Sequence, residues 1–345
     1  MVTMVHVLST VVAGTSIAAV ATNPTYFKNI LDVLVRATGY GSPGGGWRIA
    51  AILLALANFK ILPFVWHIRI FRALIYQIYI QPTSIPPYAL FQPVISSTRT
   101  SLMEMDYNMH KSNSTYFSDM DISRTQLFTA IMRNGIRKNS RLGGNKKSAL
   151  NGAIGATEGT RGSHIIALGG ICCNFKKEIK PYKKFEMWTR LLCWDRKWFY
   201  LITHLVKPGT SKPTSWTLQP WKKGKTPAKD VSEEELLKGV YATAIAKYVI
   251  KRGRITVPPE QALIDADMVP VKPEGWVWQG TVENGHANGV LPKSVEGTEW
   301  NWDVIEAERQ RGLKVAESYA TMDSMHNFFD GGKNGVLGEF PDLFF

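Results

Sequence analysis

The hydrophobic positions form long uninterrupted runs in the first part of the chain. Residues 1–22 are apolar and carry no charge apart from His6, and residues 49–66 contain a single lysine, Lys60. The first run lacks the positive start that a secretion signal usually has. As a helix the second run barely matches the thickness of a bilayer, and a lysine inside a bilayer is costly. Two interpretations of 49–66 therefore stay open: a membrane-associated helix and a helix that covers a soluble domain.

A helical period is clearest in the middle of the chain, where the pattern predicts one long helix over residues 114–136. Ser112, Asn113 and Ser114 all favour the N-cap position, where a side-chain oxygen accepts a hydrogen bond from a free backbone N–H. Asp119 falls in the early turns, where a negative charge suits the helix dipole. Apolar residues continue along one stripe to the end of the segment. This helix is therefore expected to pack against a sheet.

Alternation of apolar and polar residues predicts strands on both sides of that helix. The predicted strands cover residues 94–106, 164–179, 184–195, 197–207 and 240–257. Residues 193–198 read as a tight turn between two of them, and residues 300–329 read as a C-terminal helix with charged and apolar stripes. The order of strand, long helix and then several strands predicts an α+β domain, in which one helix packs against a curved antiparallel sheet.

Breaks in the pattern divide the chain into three parts. A proline-rich segment, 81–93, marks a boundary, so residues 1–80 are expected to form a hydrophobic helical extension. Residues 81–270 are expected to form the main domain, with a glycine-rich surface insertion at 141–163. Residues 271–345 are expected to be a C-terminal loop and helix that pack on this domain.

Composition narrows the possible partners. The chain has 345 residues, of which 45% are hydrophobic, and its 41 basic and 28 acidic residues give a formal charge of +13. This charge favours an anionic partner, but no arginine-rich arm, zinc finger or RNP-like motif accompanies it, so nucleic acid is not the expected partner. The three cysteines lie in apolar runs without metal-binding spacing, which predicts reduced thiols, no metal site and no cofactor.

The most informative polar segment lies at the entrance to the long helix. Asp106 is followed by His110, Asn113 and Tyr116 at short steps along the chain. The start of a helix presents unpaired N–H groups that can stabilise an oxyanion, and a nearby carboxylate can act as a base or nucleophile. The arrangement therefore suits hydrolysis of an activated acyl group. The alternative is plain structural capping, in which Asn and Ser side chains serve the helix and Asp106 ends a strand.

The segment "DYNMHKSNSTYFSDMDISR" resembles the Asp…His-x-x-Asn…Tyr motif of hot-dog-fold thioesterases of the 4-hydroxybenzoyl-CoA type. The chain is more closely similar to fungal thioesterase-like proteins related to thioesterase superfamily member six. The resemblance extends over most of residues 60–330, and it includes the segments 62–71, 175–207, 247–260 and 299–313.

This resemblance implies a hot-dog fold, a homodimer and an acyl-CoA site at the subunit interface. It also implies that Asp106 acts as base or nucleophile, that His110 and Asn113 form the polar pair of the motif, and that Tyr116 is its aromatic residue. Backbone N–H groups from Asn113 to Tyr116 would polarise the thioester carbonyl. One position departs from the pattern, because Met109 stands where a glycine usually precedes the histidine and gives the loop backbone freedom.

Coenzyme A carries phosphates, for which arginine and lysine are suitable ligands. Arg190, Lys197, Arg252 and Arg254 are the candidates. Charge pairing within a strand turn is the alternative for the first two, and a solvated edge that blocks strand addition is the alternative for the last two. Tryptophans around residues 188–198 suit the core and a dimer surface better than an acyl tunnel.

The sequence therefore predicts an acyl thioester hydrolase that acts on acyl-CoA or an acyl-carrier thioester, with lipid or polyketide secondary metabolism as a candidate setting. Two alternatives stay open: a non-hydrolytic acyl-binding or assembly protein, which Met109 suggests, and a hot-dog dehydratase. The expected protein is an intracellular homodimer that does not bind nucleic acid. Association with a membrane surface through 49–66 remains an open possibility.

Overall fold

The computed structural model describes residues 24–141, 164–222, 232–252, 254–279, 300–329 and four residues near the C-terminus, 336, 337, 339 and 340. The apolar run 1–22 and the insertion 142–163 lie outside these residues. The described part begins with a helical extension. Its helices are α1 (Pro24–Thr38), α2 (Gly45–Ala57) and α3 (Val65–Ile75), and α3 continues into a wide helical turn, Tyr76–Ile80.

The single helix expected over 49–66 is wrong, because the segment breaks between α2 and α3. The Asn58 side chain donates to the Leu54 carbonyl oxygen at 2.9 Å and accepts the Met103 N–H at 2.8 Å. Pro63 then restricts the backbone of Leu62, and Phe64 adopts a left-handed conformation with φ of 66°. Of the helices that the structure describes, none combines the length and apolar character that crossing a bilayer requires.

The sheet has six strands, and every pairing between them is antiparallel. The strands are β1 (Val94–Arg99), β2 (His164–Phe175), β3 (Lys184–Trp194), β4 (Phe199–Val206), β5 (Val240–Arg252) and β6 (Ile255–Val257). Their order is β1-β3-β4-β5-β2, with β6 added to β5. The predicted turn between β3 and β4 is confirmed. The sheet therefore has β1 at one edge and β2 at the other.

The predicted long helix is confirmed as α4, Asn113–Arg141, and it lies across the sheet. Its buried face packs in two clusters, with Tyr116 and Met120 near its start and Leu127, Phe128 and Ile131 further along. Burial of each large apolar side chain stabilises the fold by roughly 1.5–3 kcal/mol. A buried hydroxyl pair also joins helix to sheet, since Ser123 Oγ lies 2.7 Å from Thr189 Oγ1. The expected hot-dog arrangement of a long helix against a curved antiparallel sheet is confirmed.

Several element boundaries differ from the sequence prediction. The first strand ends at Arg99 rather than near Asp106, and residues 102–104 form a short turn instead. The predicted strand 240–257 consists of β5 and β6. The remaining short helices are α5 (Glu233–Lys238) and α6 (Pro259–Asp265), and the C-terminal helix is α7 (Trp302–Ala320), followed by a 3-10 segment to Phe328.

Helix α7 approaches β3 very closely. A Cβ at Gly312 would lie 2.3 Å from the Leu192 carbonyl oxygen, so only glycine permits this contact. Arg309 Nη1 of the same helix donates to the Trp194 carbonyl oxygen at 2.8 Å. These contacts fix the C-terminal helix on the domain.

Candidate active site at the start of the central helix

The polar segment before α4 forms a compact turn. The Asp106 N–H donates to the His110 carbonyl oxygen at 2.9 Å, and the Met109 N–H donates to the Asp106 carbonyl oxygen at 3.0 Å. An isolated antiparallel bridge joins Met105 to Lys111 on either side. Asp106 therefore occupies a tight reverse turn, and not the end of a long strand.

The two carboxylate oxygens of Asp106 differ in their hydrogen bonding. Its Oδ1 accepts the N–H of Asn108 at 2.9 Å and the N–H of His110 at 3.2 Å. Its Oδ2 makes no hydrogen bond to the residues that the structure describes, and the residue is half-buried. One oxygen therefore holds the turn, and the other can bind a water molecule or a substrate.

The first turn of α4 has free amide donors. The Thr115 N–H donates to the Ser112 carbonyl oxygen at 3.0 Å, but within the described residues no acceptor faces the N–H groups of Asn113 and Ser114. The side chains of Asn113 and Ser114 are both exposed. Helix starts of this kind attract negative charge through their unpaired donors and the helix dipole.

Tyr116 lies behind this turn and is only 2% exposed. Its ring packs edge-on against Phe175 of β2, with 5.0 Å between ring centroids. Burial raises the pKa of the Tyr116 hydroxyl strongly, and the charge of Asp106 adds a smaller part of the rise. Tyr116 is therefore neutral at physiological pH. His110 is half-buried, and its ring has no hydrogen-bond partner in the described part of the chain.

Met109 adopts the conformation for which a glycine is common. Its φ is 59°, in the left-handed region that costs a side-chain-bearing residue about 1–2 kcal/mol. Its side chain is 55% exposed, so it lies at the surface and does not have to fit into the core. The departure from the motif therefore leaves the shape of the turn in place and adds backbone strain to it.

A buried network of charges lies directly beneath this turn. Lys111 Nζ is fully buried, and it contacts Glu104 Oε1 at 3.0 Å and Asp119 Oδ2 at 3.0 Å. Two cations from the helical extension complete it: Lys60 lies 2.7 Å from Glu104 and 2.9 Å from Asp119, and Arg69 lies 2.9 Å from Asp119. We call these five residues the buried ion network.

The network determines the charge of its members. Burial alone would raise the pKa of Asp119, but the charges of Lys111, Lys60 and Arg69 outweigh it and hold that pKa below its usual value. Burial lowers the pKa of Lys60, partly offset by Asp119 and reinforced by the repulsion of Lys111. The sequence prediction assigned Asp119 to the helix dipole and did not find this network, because two of the three cations that pair with Asp119, Arg69 and Lys60, are 50 and 59 residues away in sequence.

The four candidate coenzyme A ligands do not lie beside Asp106 within one chain. Lys197 lies in the turn after β3, Arg252 ends β5 and Arg254 follows it, so all three lie at the end of the sheet where β3 finishes. The turn of Asp106 lies near the start of β3, because Arg99 pairs with Lys184 there. At ~3.3 Å per residue the two ends are on the order of 30 Å apart.

Arg190 lies between these ends and interacts with the C-terminal helix. Its guanidinium is largely desolvated, and this burial lowers its pKa, with Glu308 of α7 opposing the shift. Glu308 itself is 7% exposed and accepts a hydrogen bond from Arg311 Nη1 at 2.8 Å. Burial raises the pKa of Glu308, against the opposing charges of Arg311 and Arg190.

The described residues also form a cavity along β1, the opposite edge of the sheet from β2. It has a volume of about 960 Å³ and lies between β1, the helical extension, the loop 213–219 and α7. We call it the β1-edge cavity. None of the described residues that line it belongs to the turn of Asp106, although Arg69 connects the cavity wall to the buried ion network. A smaller space of about 330 Å³ lies above that network, beside Thr115 and Ser118.

No group of three or more His, Cys, Asp or Glu side chains with metal-binding geometry occurs in the described parts of the chain. The three cysteines are free, and burial raises the pKa of the Cys173 thiol to about 11. Burial also raises the pKa of the Cys193 thiol, so neither Cys173 nor Cys193 is set up as a nucleophile.

Comparison with known proteins finds a thioesterase family and several fungal thioesterases. The family described as the thioesterase-like superfamily matches residues 100–220. The probable thioesterase atnL of Emericella nidulans is 32% identical over 303 residues, which cover 85% of this chain and 92% of that protein. The thioesterase poxG of Penicillium oxalicum is 31% identical and covers the same shares, and the thioesterase lcsJ of Purpureocillium lilacinum is 31% identical over 80% of this chain and 91% of its own length.

Proposed function

Because the chain belongs to the thioesterase-like superfamily, we propose that it hydrolyses acyl thioesters and that the turn of Asp106 is its catalytic centre. The observation that carries this proposal is the pairing, within one short hairpin, of a free carboxylate oxygen, Asp106 Oδ2, near its tip with unpaired N–H groups where the hairpin leads into α4. A base and a set of oxyanion donors are the two requirements of acyl transfer to water.

In the proposed mechanism the thioester carbonyl binds near the N–H groups of Asn113 and Ser114. These donors stabilise the negative charge that develops on the carbonyl oxygen. In one route Asp106 Oδ2 accepts a proton from water as the water attacks the carbonyl carbon, the C–S bond then breaks, and the protonated Asp106 returns the proton to the departing thiolate. In the other route Asp106 Oδ2 attacks the carbonyl carbon itself, the thiolate leaves and takes a proton from solvent, and water hydrolyses the resulting acyl–Asp106 anhydride. The His110 N–H keeps Oδ1 in place, and the neutral Tyr116 forms a wall behind the turn.

The matched pair Asp106→Asn and Asp106→Ala tests this mechanism. Asparagine keeps an oxygen that can accept the two backbone hydrogen bonds of Oδ1, so it removes the charge but preserves the turn. We expect Asp106→Asn to lower kcat by about 100-fold or more on an acyl-CoA that the wild-type protein hydrolyses. Asp303→Asn is the control, since Asp303 is an exposed carboxylate in α7. Equal rates for Asp106→Asn and wild type would remove Asp106 from the mechanism.

The proposal also concerns the substrate, that is, the acyl group and the carrier to which it is bound. We propose acyl-CoA or an acyl-carrier thioester in lipid or polyketide secondary metabolism, since the relatives are fungal thioesterases. Contacts of Arg190, Lys197, Arg252 and Arg254 with the phosphates of coenzyme A need a long ligand or a second subunit, because these residues lie far from Asp106 in one chain. A panel of acyl-CoA and carrier-bound substrates tests this point.

A second copy of the chain is the proposed partner. The strand β2 is twelve residues long, forms an edge of the sheet, and exposes Ile165, Leu168 and Phe175. Because Phe175 packs on Tyr116, a copy bound at this edge would adjoin the turn of Asp106. Light scattering should give twice the chain mass, and Leu168→Lys should shift it to the monomer. A monomeric wild-type protein would contradict this part.

Contact with a membrane surface remains a proposal for 49–66. In α2 the side chains of Leu53, Leu54 and Leu56 are exposed, and Trp47 and Arg48 stand at its start. An amphipathic or apolar helix of this length can lie in the interface of an anionic bilayer. Cosedimentation with anionic vesicles should be lost when Leu53 and Leu56 are changed to Gln. Absence of wild-type binding would end this idea without affecting the hydrolase proposal.

A further inference from the structure

The β1-edge cavity has the dimensions of a small-molecule site. Its volume of about 960 Å³ falls at the upper end of the roughly 300–1,000 Å³ that is common for ligand pockets. Its walls come from segments far apart in sequence, including Tyr76 after α3, Phe91 before β1, Trp216 in the loop 213–219 and Trp300 before α7. The enclosure is therefore a product of the whole fold.

Hydrogen bonds hold these walls in fixed positions. Thr83 Oγ1 donates to the Leu218 carbonyl oxygen at 2.7 Å, and Thr217 Oγ1 donates to Gln92 Oε1 at 2.7 Å. These bonds hold the loop 213–219 against the segment that precedes β1. Gln77 Nε2 donates to Gln126 Oε1 of α4 at 2.7 Å, which fixes the wall formed by the helical extension. The cavity is therefore preformed, and a ligand would not have to order its walls.

Aromatic rings contribute to the apolar surface of the cavity, beside aliphatic side chains such as Ile85 and Ile122. The aromatic lining residues of the walls are Tyr76, Tyr88, Phe91, Trp188, Trp216 and Trp300. The Phe91 ring lies 6.4 Å from the Trp300 ring at an interplanar angle of 60°, so the two form a corner and not a closed stack. Flat ligand rings pack favourably on such surfaces.

Polar groups between the rings argue against a purely aliphatic ligand. Gln92, Gln126, Thr98 and Ser215 are among the lining residues, and they carry amide or hydroxyl groups. A saturated chain would displace water from these groups without replacing its hydrogen bonds, which reduces affinity. A ring that carries hydroxyl groups can both stack on the aromatic walls and supply the hydrogen bonds.

The charges of the lining favour an anion. Arg69, Arg72 and Arg311 are the arginines of the lining, and Glu308 is the one carboxylate among the described lining residues. Arg69 is paired with Asp119 and Arg311 with Glu308, but Arg72 is exposed and has no ion-pair partner among the described residues. Arg72 is therefore the residue that can bind a ligand carboxylate at the rim.

From these observations we propose that the β1-edge cavity binds a hydroxylated aromatic carboxylate. The rings lie against Trp216 and the other aromatic walls, and the carboxylate pairs with Arg72. This site lies apart from the turn of Asp106 and requires no turnover, so it goes beyond the proposed hydrolase. Its occupant is held by shape, stacking and a single charge, and no covalent step takes place there.

The test is calorimetric titration of the full chain with hydroxynaphthoic acid as the probe. Three comparison compounds each remove one feature of the probe and so measure its contribution to binding. Naphthoic acid lacks the hydroxyl, hydroxynaphthamide lacks the charge, and decanoate lacks the rings. We expect saturable binding of one probe per chain, with the weakest binding for decanoate. Titration of Asp106→Asn should give the same affinity, because the cavity does not include that residue.

Two variants locate the probe, and each has a matched control. Arg72→Gln and Trp216→Ala should each weaken binding about tenfold, through loss of a charge-assisted hydrogen bond and of an aromatic surface. Arg36→Gln in α1 and Trp221→Ala are the controls, since both residues are exposed and neither lines the cavity. Thermal unfolding of each variant shows whether its fold is intact.

Four results would overturn the proposal. They are an absence of saturable binding, equal losses in the cavity variants and their controls, tighter binding of decanoate than of the probe, and loss of binding in Asp106→Asn. The last would place the aromatic acid in the catalytic turn. A protein that binds the probe as expected but shows no thioesterase activity would uphold the cavity and reject the hydrolase, so the two proposals fail separately.

Discussion

The turn of Asp106 lies open at the start of α4, whereas the β1-edge cavity is walled by segments from both ends of the described chain. The turn offers a carboxylate oxygen and amide donors but little enclosed space. The cavity offers space, aromatic surface and arginines, but its one described carboxylate, Glu308, is paired with Arg311. The two regions therefore arise in different ways. The reactive groups of the turn come from residues that are close in sequence, whereas the binding volume of the cavity comes from the packing of segments that are far apart in sequence.

The largest expected effect concerns the network that links the two regions. Asp119→Asn leaves Lys60, Arg69 and Lys111 with Glu104 as their sole carboxylate in the network. Breaking a buried ion pair from one side costs about 3–5 kcal/mol, so we expect a loss of that order in the free energy of unfolding. Chemical denaturation measures it, and Asp32→Asn on the exposed face of α1 is the control. A loss below about 1 kcal/mol would mean that the network is solvated.

The next effect separates the two carboxylates by function. Asp106→Asn should reduce kcat by about 100-fold, which corresponds to about 2.7 kcal/mol of activation free energy, whereas Glu308→Gln should leave kcat within about twofold of wild type. The reason is that Glu308 lines the cavity and not the catalytic turn. A large loss in Glu308→Gln together with normal rates in Asp106→Asn would transfer the chemistry to the cavity.

The dependence of stability on pH should differ in sign between the two buried carboxylates. The folded-state pKa of Asp119 is lowered, so its contribution is present above the unfolded pKa of about 3.8 and is lost as the pH falls through the folded value. The pKa of Glu308 is raised above 4.5, so its protonated form is favoured in the fold and stability falls as the pH rises through the folded value.

Denaturation curves from pH 3 to pH 7 should therefore separate two variants. Compared with wild type, Glu308→Gln should flatten the loss of stability just above pH 4.5, and Asp119→Asn should flatten the loss at the acid end. The slope of stability against pH should therefore become less negative in Glu308→Gln and less positive in Asp119→Asn. A change of the same sign in both variants would contradict the assigned pKa shifts.

The smallest effect concerns backbone strain in the turn. Met109→Gly should raise the free energy of unfolding by about 1 kcal/mol, because the left-handed conformation costs glycine nothing, although glycine gains entropy in the unfolded chain. Asn108→Gly is the matched control, since Asn108 has no positive φ. A destabilised Met109→Gly would show that the methionine side chain makes contacts that offset the strain.

The sequence predicts the fold where information is local. The period of α4, the alternation in β3 and the turn after Trp194 all follow from neighbouring residues, and the structure agrees with them. The break in 49–66 has one local signal, Pro63, but the Asn58 side chain that also fixes it bonds to Met103, which is 45 residues away. Element boundaries set by such tertiary bonds leave no periodic signal.

The same reasoning explains what was found and missed at the functional sites. The polar cluster of Asp106, His110 and Asn113 is visible because its members are close in sequence. Lys60 and Arg69 look like ordinary flanking charges until the fold buries them against Asp119. The cavity walls are further apart still, since Trp188, Trp216 and Trp300 meet only in the folded chain, and isolated tryptophans give no hint of a shared pocket.

The buried ion network has a practical consequence for shortening the chain. Lys60 and Arg69 belong to the helical extension, yet both bind Asp119 inside the main domain. A protein trimmed to begin at the proline-rich segment would keep every residue of the thioesterase motif and still leave an acidic side chain of α4 with one remaining cation, Lys111. The boundary that looks natural in the sequence is therefore the wrong place to cut.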